Sequence, residues 1–300
     1  VKPARMAGAT AGDRREGSRG SQGVWVERLW WLALSAAPSS LLLGVTSYLS
    51  TDVAAIPLLW VVPLAVYLGT FIIAFSERAR AGVGPRVTTL MLPVVGVSVA
   101  LTMGIGFDLG VMLAQQVLLL LVGALACHVE LAKRAPETGR LTEFYLLVSV
   151  GGVLGGAFNS LVAPVVFDSV IEYPVAVIGT CLAAILAMGR VKRREWWREI
   201  VVGVLLAVGV GLFSFGLRGW IESGWSMDQR LLRVLAFAPA VAVALLACRR
   251  RAVWFACLLA GLMVVAWNEP RRGDEGGGRL LHAERTFFGV HRVNEAPSGQ

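Results

Sequence analysis

The stretch GVMLAQQVLLLLVGALACHVELAKRAPETGRLTEFYLLVSVGGVLGG, from Gly110 to Gly156, decides the fold. It holds one apolar run up to Ala132 and the start of another at Leu141, joined by a short loop carrying Lys133, Arg134 and Arg140. A run of about 17 to 25 apolar residues crosses hydrocarbon as a helix, because a helix satisfies its own backbone hydrogen bonds there. So short a loop makes the two helices antiparallel neighbours.

The same pattern continues in both directions. Apolar spans are expected at Leu29 to Leu49, Ala54 to Ser76, Val87 to Gly106, Gly110 to Ala132, Leu141 to Phe167, Ile171 to Gly189, Ile200 to Leu217, Leu231 to Cys248 and Ala252 to Trp267. The last two are short for a crossing. Apolar residues make up 56% of the chain and charged residues 16%, against about half and about a quarter in soluble domains. The expected fold class is all-α, a polytopic transmembrane bundle of about nine spans.

Lys and Arg concentrate in alternate loops. They fall in the N-terminal tail (Lys2, Arg5, Arg14, Arg15, Arg19, Arg28), then at Arg78, Arg80 and Arg86, then at Lys133, Arg134 and Arg140. Further groups are Arg190, Lys192, Arg193, Arg194 and Arg198, and Arg249, Arg250 and Arg251. The intervening loops near Thr51, Asp108 and Asp168 carry none. This bias predicts that the N-terminus lies in the cytoplasm. The net charge of +8 is thus mostly topological, with some attraction for anionic lipid, and gives no continuous stripe for nucleic acid. Trp30, Trp31, Trp196, Trp197 and Trp254 fall at the inner span ends, and Trp60, Trp220, Trp225 and Trp267 at the outer ones, where an amphipathic indole is most stable.

Residues 1–28 read as a disordered basic tail without a signal peptide's apolar core, residues 29–267 as the transmembrane domain, and residues 268–279 as a polar, Gly-rich linker. From Leu280 to Val293 apolar and polar residues alternate as in a β-strand. A lone strand is unstable, so this tail is expected to begin a soluble domain. Cys127, Cys181, Cys248 and Cys257 lack metal-type spacing and read as small buried hydrophobes.

Several motifs resemble the membrane region of bacterial fused transporter-like (MFS-like)/spermidine synthase proteins. They are Pro38-Ser39-Ser40 through Thr46, Thr51-Asp52, Ala54 through Trp60, Cys127-His128-Val129-Glu130-Leu131, Leu141 through Tyr145, Gly151-Gly152 with Gly155-Gly156, and Glu172-Tyr173-Pro174. Glu284 through Val290 resembles the first strand of the synthase domain in that family, so residues 280–300 would be its truncated start. The resemblance implies a polyamine aminopropyltransferase fusion. Its cofactor, decarboxylated S-adenosylmethionine, would belong to the rest of the synthase domain, so this chain is expected to hold no cofactor and to catalyse no transfer alone. Val129 stands where the family is expected to carry Gly. Nine spans would leave the tail outside, whereas a synthase and Arg271, Arg272 and Arg279 favour the inside; either a span within Leu231 to Trp267 does not cross or an upstream portion changes the count.

Polar residues in apolar spans are the other pointer to function. His128, Glu130 and Glu143 would meet at the cytoplasmic side, as a proton-coupling or cation-binding cluster. Alternatively Glu130 pairs with Arg134, Glu143 favours a helix N-terminus, and His128 bonds a neighbour. Asp52, Asn159, Asp168 and Glu172 form an outer group; Asp52, followed by Pro57 and Pro63, marks either an interrupted helix able to receive a polycation or a capped and kinked one. Gly151, Gly152, Gly155 and Gly156 predict close helix packing, with Asn159 near that contact. No metal site is expected, because His128 and Glu130 do not share a helix face, and Cys127 beside His128 does not form a nucleophile and base pair.

Two functions follow: a transporter-like module for polyamines or other cations, or a membrane anchor for a synthase.

Overall fold

In the computed structural model the described residues are 11–49, 58–76, 95–96, 109–167, 172–188, 280–286 and 289–294, with single positions at 198, 201, 205, 208, 209 and 212. The helices are α1 (Ala11–Tyr48), α2 (Val61–Phe75), α3 (Leu109–Lys133), α4 (Leu141–Ala157), α5 (Ala163–Val166) and α6 (Glu172–Ala187). A π-helical turn, Phe158–Val162, joins α4 to α5 without a break. Among the described residues, three segments are long and apolar enough to cross a membrane: Gly23–Tyr48, Gly110–Lys133 and Thr138–Val166. The apolar helices α2 and α6 are shorter, at 15 and 16 residues. Three large hydrophobic side chains stand out among those turned outward: Ile72 is 73%, Val153 70% and Val165 75% exposed. In water such surface would drive association; in lipid it is the expected exterior, and the chain has the build of a membrane protein.

The central element is α1, which packs against α4, α6, α3 and α2. Its buried residues Trp31, Leu34, Pro38, Leu41, Val45 and Tyr48 follow alternating steps of three and four, a single stripe along the helix. Against this stripe α4 sets its smallest side chains. A Cβ at Gly151 would collide with Ser35 Oγ and lie 2.7 Å from the Leu32 carbonyl oxygen, and one at Gly155 would strike the Ala36 carbonyl oxygen. Absence of Cβ is what lets the two backbones approach. Gly152 faces open space and Gly156 meets only Leu43 Cδ1, at 3.7 Å. From the other side α6 comes equally close, since a Cβ on Gly44 would lie 3.2 Å from Tyr173 Cα.

Several boundaries differ from the sequence expectation. Helix α1 starts at Ala11 rather than Leu29, so the segment expected to be irregular is helical from there. Once an apolar helix is nucleated, each further residue adds a hydrogen bond at little cost, and the Arg and Glu of this stretch are good helix formers. The second span was expected from Ala54, yet α2 begins at Val61 after a turn in which Leu58 has φ 66°. Pro63 then occupies the first turn of α2, where a missing N–H breaks no helical bond. The expected spans Val87 to Gly106, Ile200 to Leu217, Leu231 to Cys248 and Ala252 to Trp267 lie almost wholly outside the described residues, as does the linker. In the tail the backbone forms two antiparallel strands, β1 (Leu280–Thr286) and β2 (Gly289–Asn294), rather than one continuous strand to Val293. Thr286 pairs with Gly289 and His282 with Val293, with an irregularity between Leu280 and His282.

Candidate functional site

Among the described residues, four groups of polar side chains inside the bundle bear on function. The first closes one end. Glu143, in the first turn of α4, accepts from Arg28 Nε at 2.5 Å and Arg140 Nε at 3.0 Å, while Arg140 Nη1 donates to Glu27 at 2.9 Å. Glu130 is paired with Lys133 at 2.5 Å and Arg134 at 2.8 Å. Arg134 also donates to the Ala187 carbonyl, and its own carbonyl accepts from Trp31 Nε1 at 2.9 Å. Three guanidinium groups lie over indoles: Arg28 over Trp25, Arg134 over Trp30 and Arg140 over Trp31, 4.9 to 5.5 Å from the ring centres. Residues 25–31 of α1 are thereby tied to the adjoining ends of α3, α4 and α6. Each carboxylate already has its cations.

The second group surrounds His128, which is 0% exposed. Its Nδ1 lies 3.1 Å from Thr70 Oγ1, and the Thr70 hydroxyl donates to the Tyr67 carbonyl at 2.7 Å. Thr70 thereby joins the imidazole to the Tyr67 turn of α2. Nε2 is buried and has no partner among the described residues. Tyr67 and Phe71 flank the ring edge-on at 5.2 and 4.9 Å. His128 is thus directed to α2, while Glu130 and Glu143 go to separate basic partners. The three do not share a common hydrogen-bond network among the described residues.

The third group lies where α1 crosses α4. Asn159, 7% exposed and held in the π-helical turn, donates from Nδ2 to Ser40 Oγ at 2.6 Å and to the Gly155 carbonyl at 3.0 Å. Its Oδ1 is buried with no partner among the described residues. Ser39 Oγ donates to the Gly152 carbonyl at 2.8 Å, a second bond across the crossing.

The fourth group is at the start of α6. Glu172 is buried, and Tyr173 donates its hydroxyl to Gln116 Oε1 at 2.6 Å and stacks on Tyr48 with ring centres 4.8 Å apart. Asp52 and Asp168 lie outside the described residues, so the outer acidic group is represented by Glu172 alone.

Thr70 and Gln116 were not singled out by the sequence, and Ser40 entered only within the Pro38-Ser39-Ser40 motif. Gln116 carried a usable signal, being an amide in the middle of an apolar span. Thr70 and Ser40 did not, since hydroxyls in apolar helices commonly bond their own preceding turn. Among the described residues no group of three or more His, Cys, Asp or Glu could hold a metal ion. Cys127 and Cys181 are buried and free of disulfide. No protein-family model, curated protein or solved structure gives a significant match to this chain.

Proposed function

We propose that this protein is the membrane-embedded module of a spermidine synthase-like fusion in the bacterial inner membrane, N-terminus cytoplasmic, and that it serves as an anchor and scaffold for the transferase. The observation that carries this reading is the satisfied charge at the basic end. Glu27, Glu130 and Glu143 are each bound to Arg or Lys, so a polyamine would have to displace a guanidinium or ammonium already in place. Such a lattice makes a rigid platform at the membrane face. The orientation rests on the Lys and Arg bias of the loops. Decarboxylated S-adenosylmethionine would be bound by the synthase domain of the fusion; among the described residues β1 and β2 form a hairpin with no strand-to-helix loop suited to it.

A second reading, transport of polyamines or another cation, is favoured by one feature. His128 Nε2 and Asn159 Oδ1 are buried polar atoms without a partner among the described residues, in a medium where such groups are costly.

Uptake of radiolabelled spermidine into liposomes carrying the purified chain separates the two. The scaffold predicts counts equal to protein-free liposomes. Accumulation above that level, lost in His128→Phe or Asn159→Leu, would replace it with transport.

A further inference from the structure

We infer that protonation of His128 is a switch that releases α2 from α3 as the pH falls. The inference goes beyond both functional readings and depends on neither.

One face of α2 is built around the imidazole. Tyr67, Thr70 and Phe71, three and four residues apart, all meet it. Among the described residues Thr70 is its hydrogen-bond partner, Nε2 has none, and no carboxylate forms an ion pair with the ring. The charged and titratable groups nearby are engaged elsewhere. On α3 itself Cys127 donates to the Thr180 carbonyl, and Glu130 is held by Lys133 and Arg134. Of the helices packed on α3, α1 brings Glu27 and Arg28, paired with Arg140 and Glu143, and Tyr48, stacked on Tyr173. Helix α6 brings Tyr173, bonded to Gln116, and the buried Glu172 and Cys181.

Protonation turns both ring nitrogens into donors and sets a full positive charge between two aromatic rings. Such rings attract a cation less than hydration does, and a buried charge without a counter-ion is costly. Moving α2 aside exposes the ring to water and removes that cost. The closed packing therefore belongs to the neutral imidazole, and the open one gains as protons are added. Helix α2 is the element built to move. It packs mainly on α3, and its outward side chains Leu68, Ile72 and Ile73 are exposed. Its backbone breaks at both ends, at Leu58 with φ 66° and at the extended Ser76, and element-terminal residues of this kind act as hinges. His128 lies about 7.5 Å along the helix from Lys133, the end of α3, so the path for water from the basic end is short.

The test is the distance between nitroxide spin labels on Ile72→Cys of α2 and Val153→Cys of α4, in the full chain otherwise freed of cysteine, in detergent from pH 8 to pH 4.5. One distance is expected at pH 8. A second should grow reversibly as the pH falls, its ratio to the first rising up to about tenfold per pH unit, the slope of one proton. His128→Gln bonds as a neutral ring does and cannot take the charge, so it should keep the pH 8 distance throughout; it also subtracts the titration of Glu27, Glu130 and Glu143. His128→Phe, which packs with Tyr67 and Phe71, stands in if His128→Gln does not fold. Labels on Val153→Cys and Val175→Cys, neither on α2, should hold one distance at every pH. An unchanged distribution with His128 present overturns the proposal, as does an equal change in the variant without His128. Movement of the Val153 and Val175 pair, or a change that does not reverse at pH 8, marks acid unfolding of the bundle and rejects it too.

Discussion

Thr70 bonds both the Tyr67 carbonyl and His128 Nδ1, so one hydroxyl ties the turn of α2 to the imidazole. Replacing it by the isosteric Val leaves Nδ1 buried without that partner. Thr70→Val is expected to cost about 1 to 3 kcal/mol, read as a lowered unfolding midpoint in detergent, whereas Thr70→Ser should stay near the unmodified value. Trp31 supplies a comparable bond at the basic end, from Nε1 to the Arg134 carbonyl, and packs edge-on against Phe144 at 5.3 Å. Trp31→Phe keeps most of the aromatic contact and removes the donor, for an expected loss of about 1 kcal/mol in the same measurement. Neither bond was legible beforehand. The sequence shows a Thr in the second expected span and a His in the fourth, but whether those spans touch, and which face each presents, depends on packing.

At the scale of elements, the glycines of α4 separate into two faces. A Cβ at Gly151 or Gly155 would strike α1, whereas one at Gly152 would meet open space and one at Gly156 only the Leu43 side chain. Gly151→Ala should therefore force the helices apart and lower both stability and monodispersity. Gly152→Ala, one residue away, should be tolerated within about 1 kcal/mol, because open space receives the methyl and Ala favours the helix. Gly155→Leu, aimed at the Ala36 carbonyl, is expected to abolish assembly. Size-exclusion profiles of the three variants check this; equal behaviour of Gly151→Ala and Gly152→Ala would refute the α1–α4 contact. The small-residue steps were visible in the sequence as a packing motif. Which of the two overlapping steps touches a partner was not, since both have the same spacing.

For the whole molecule, the ion pairs joining Arg28 and Glu27 on α1 to Arg140 and Glu143 place the start of the α1 span and the α3–α4 connection at one end of the bundle. In a background freed of native cysteines, single cysteines at Trp25 and Glu137 should react with a membrane-impermeant maleimide from the same side, the cytoplasmic one if the basic-loop bias holds. Labelling from opposite sides would break that arrangement. Packing also explains why α3 is enclosed while α4 shows much of its surface: α3 is flanked by α1, α2 and α6, and α4 rests mainly on α1. Apolar composition predicts both as spans and cannot rank them by burial, because lipid and protein interiors accept the same side chains.

Length and hydropathy alone determined that this chain builds helices for a membrane, and the spacing of Lys and Arg predicted its orientation. Those properties follow from transfer of backbone and side chains into hydrocarbon, which each segment undergoes largely by itself. Tertiary structure decided the partners. It joined Glu143 to Arg28 across the bundle, turned His128 towards Thr70, set Asn159 in a π-helical turn against Ser40, and chose Gly151 and Gly155 for the contact with α1; the pairing of Glu130 with Arg134, four residues on, was already open to the sequence. The physical reason is that a partner is a matter of helix rotation and register, a few degrees or one residue, to which the free energy of insertion is nearly blind and close packing is not.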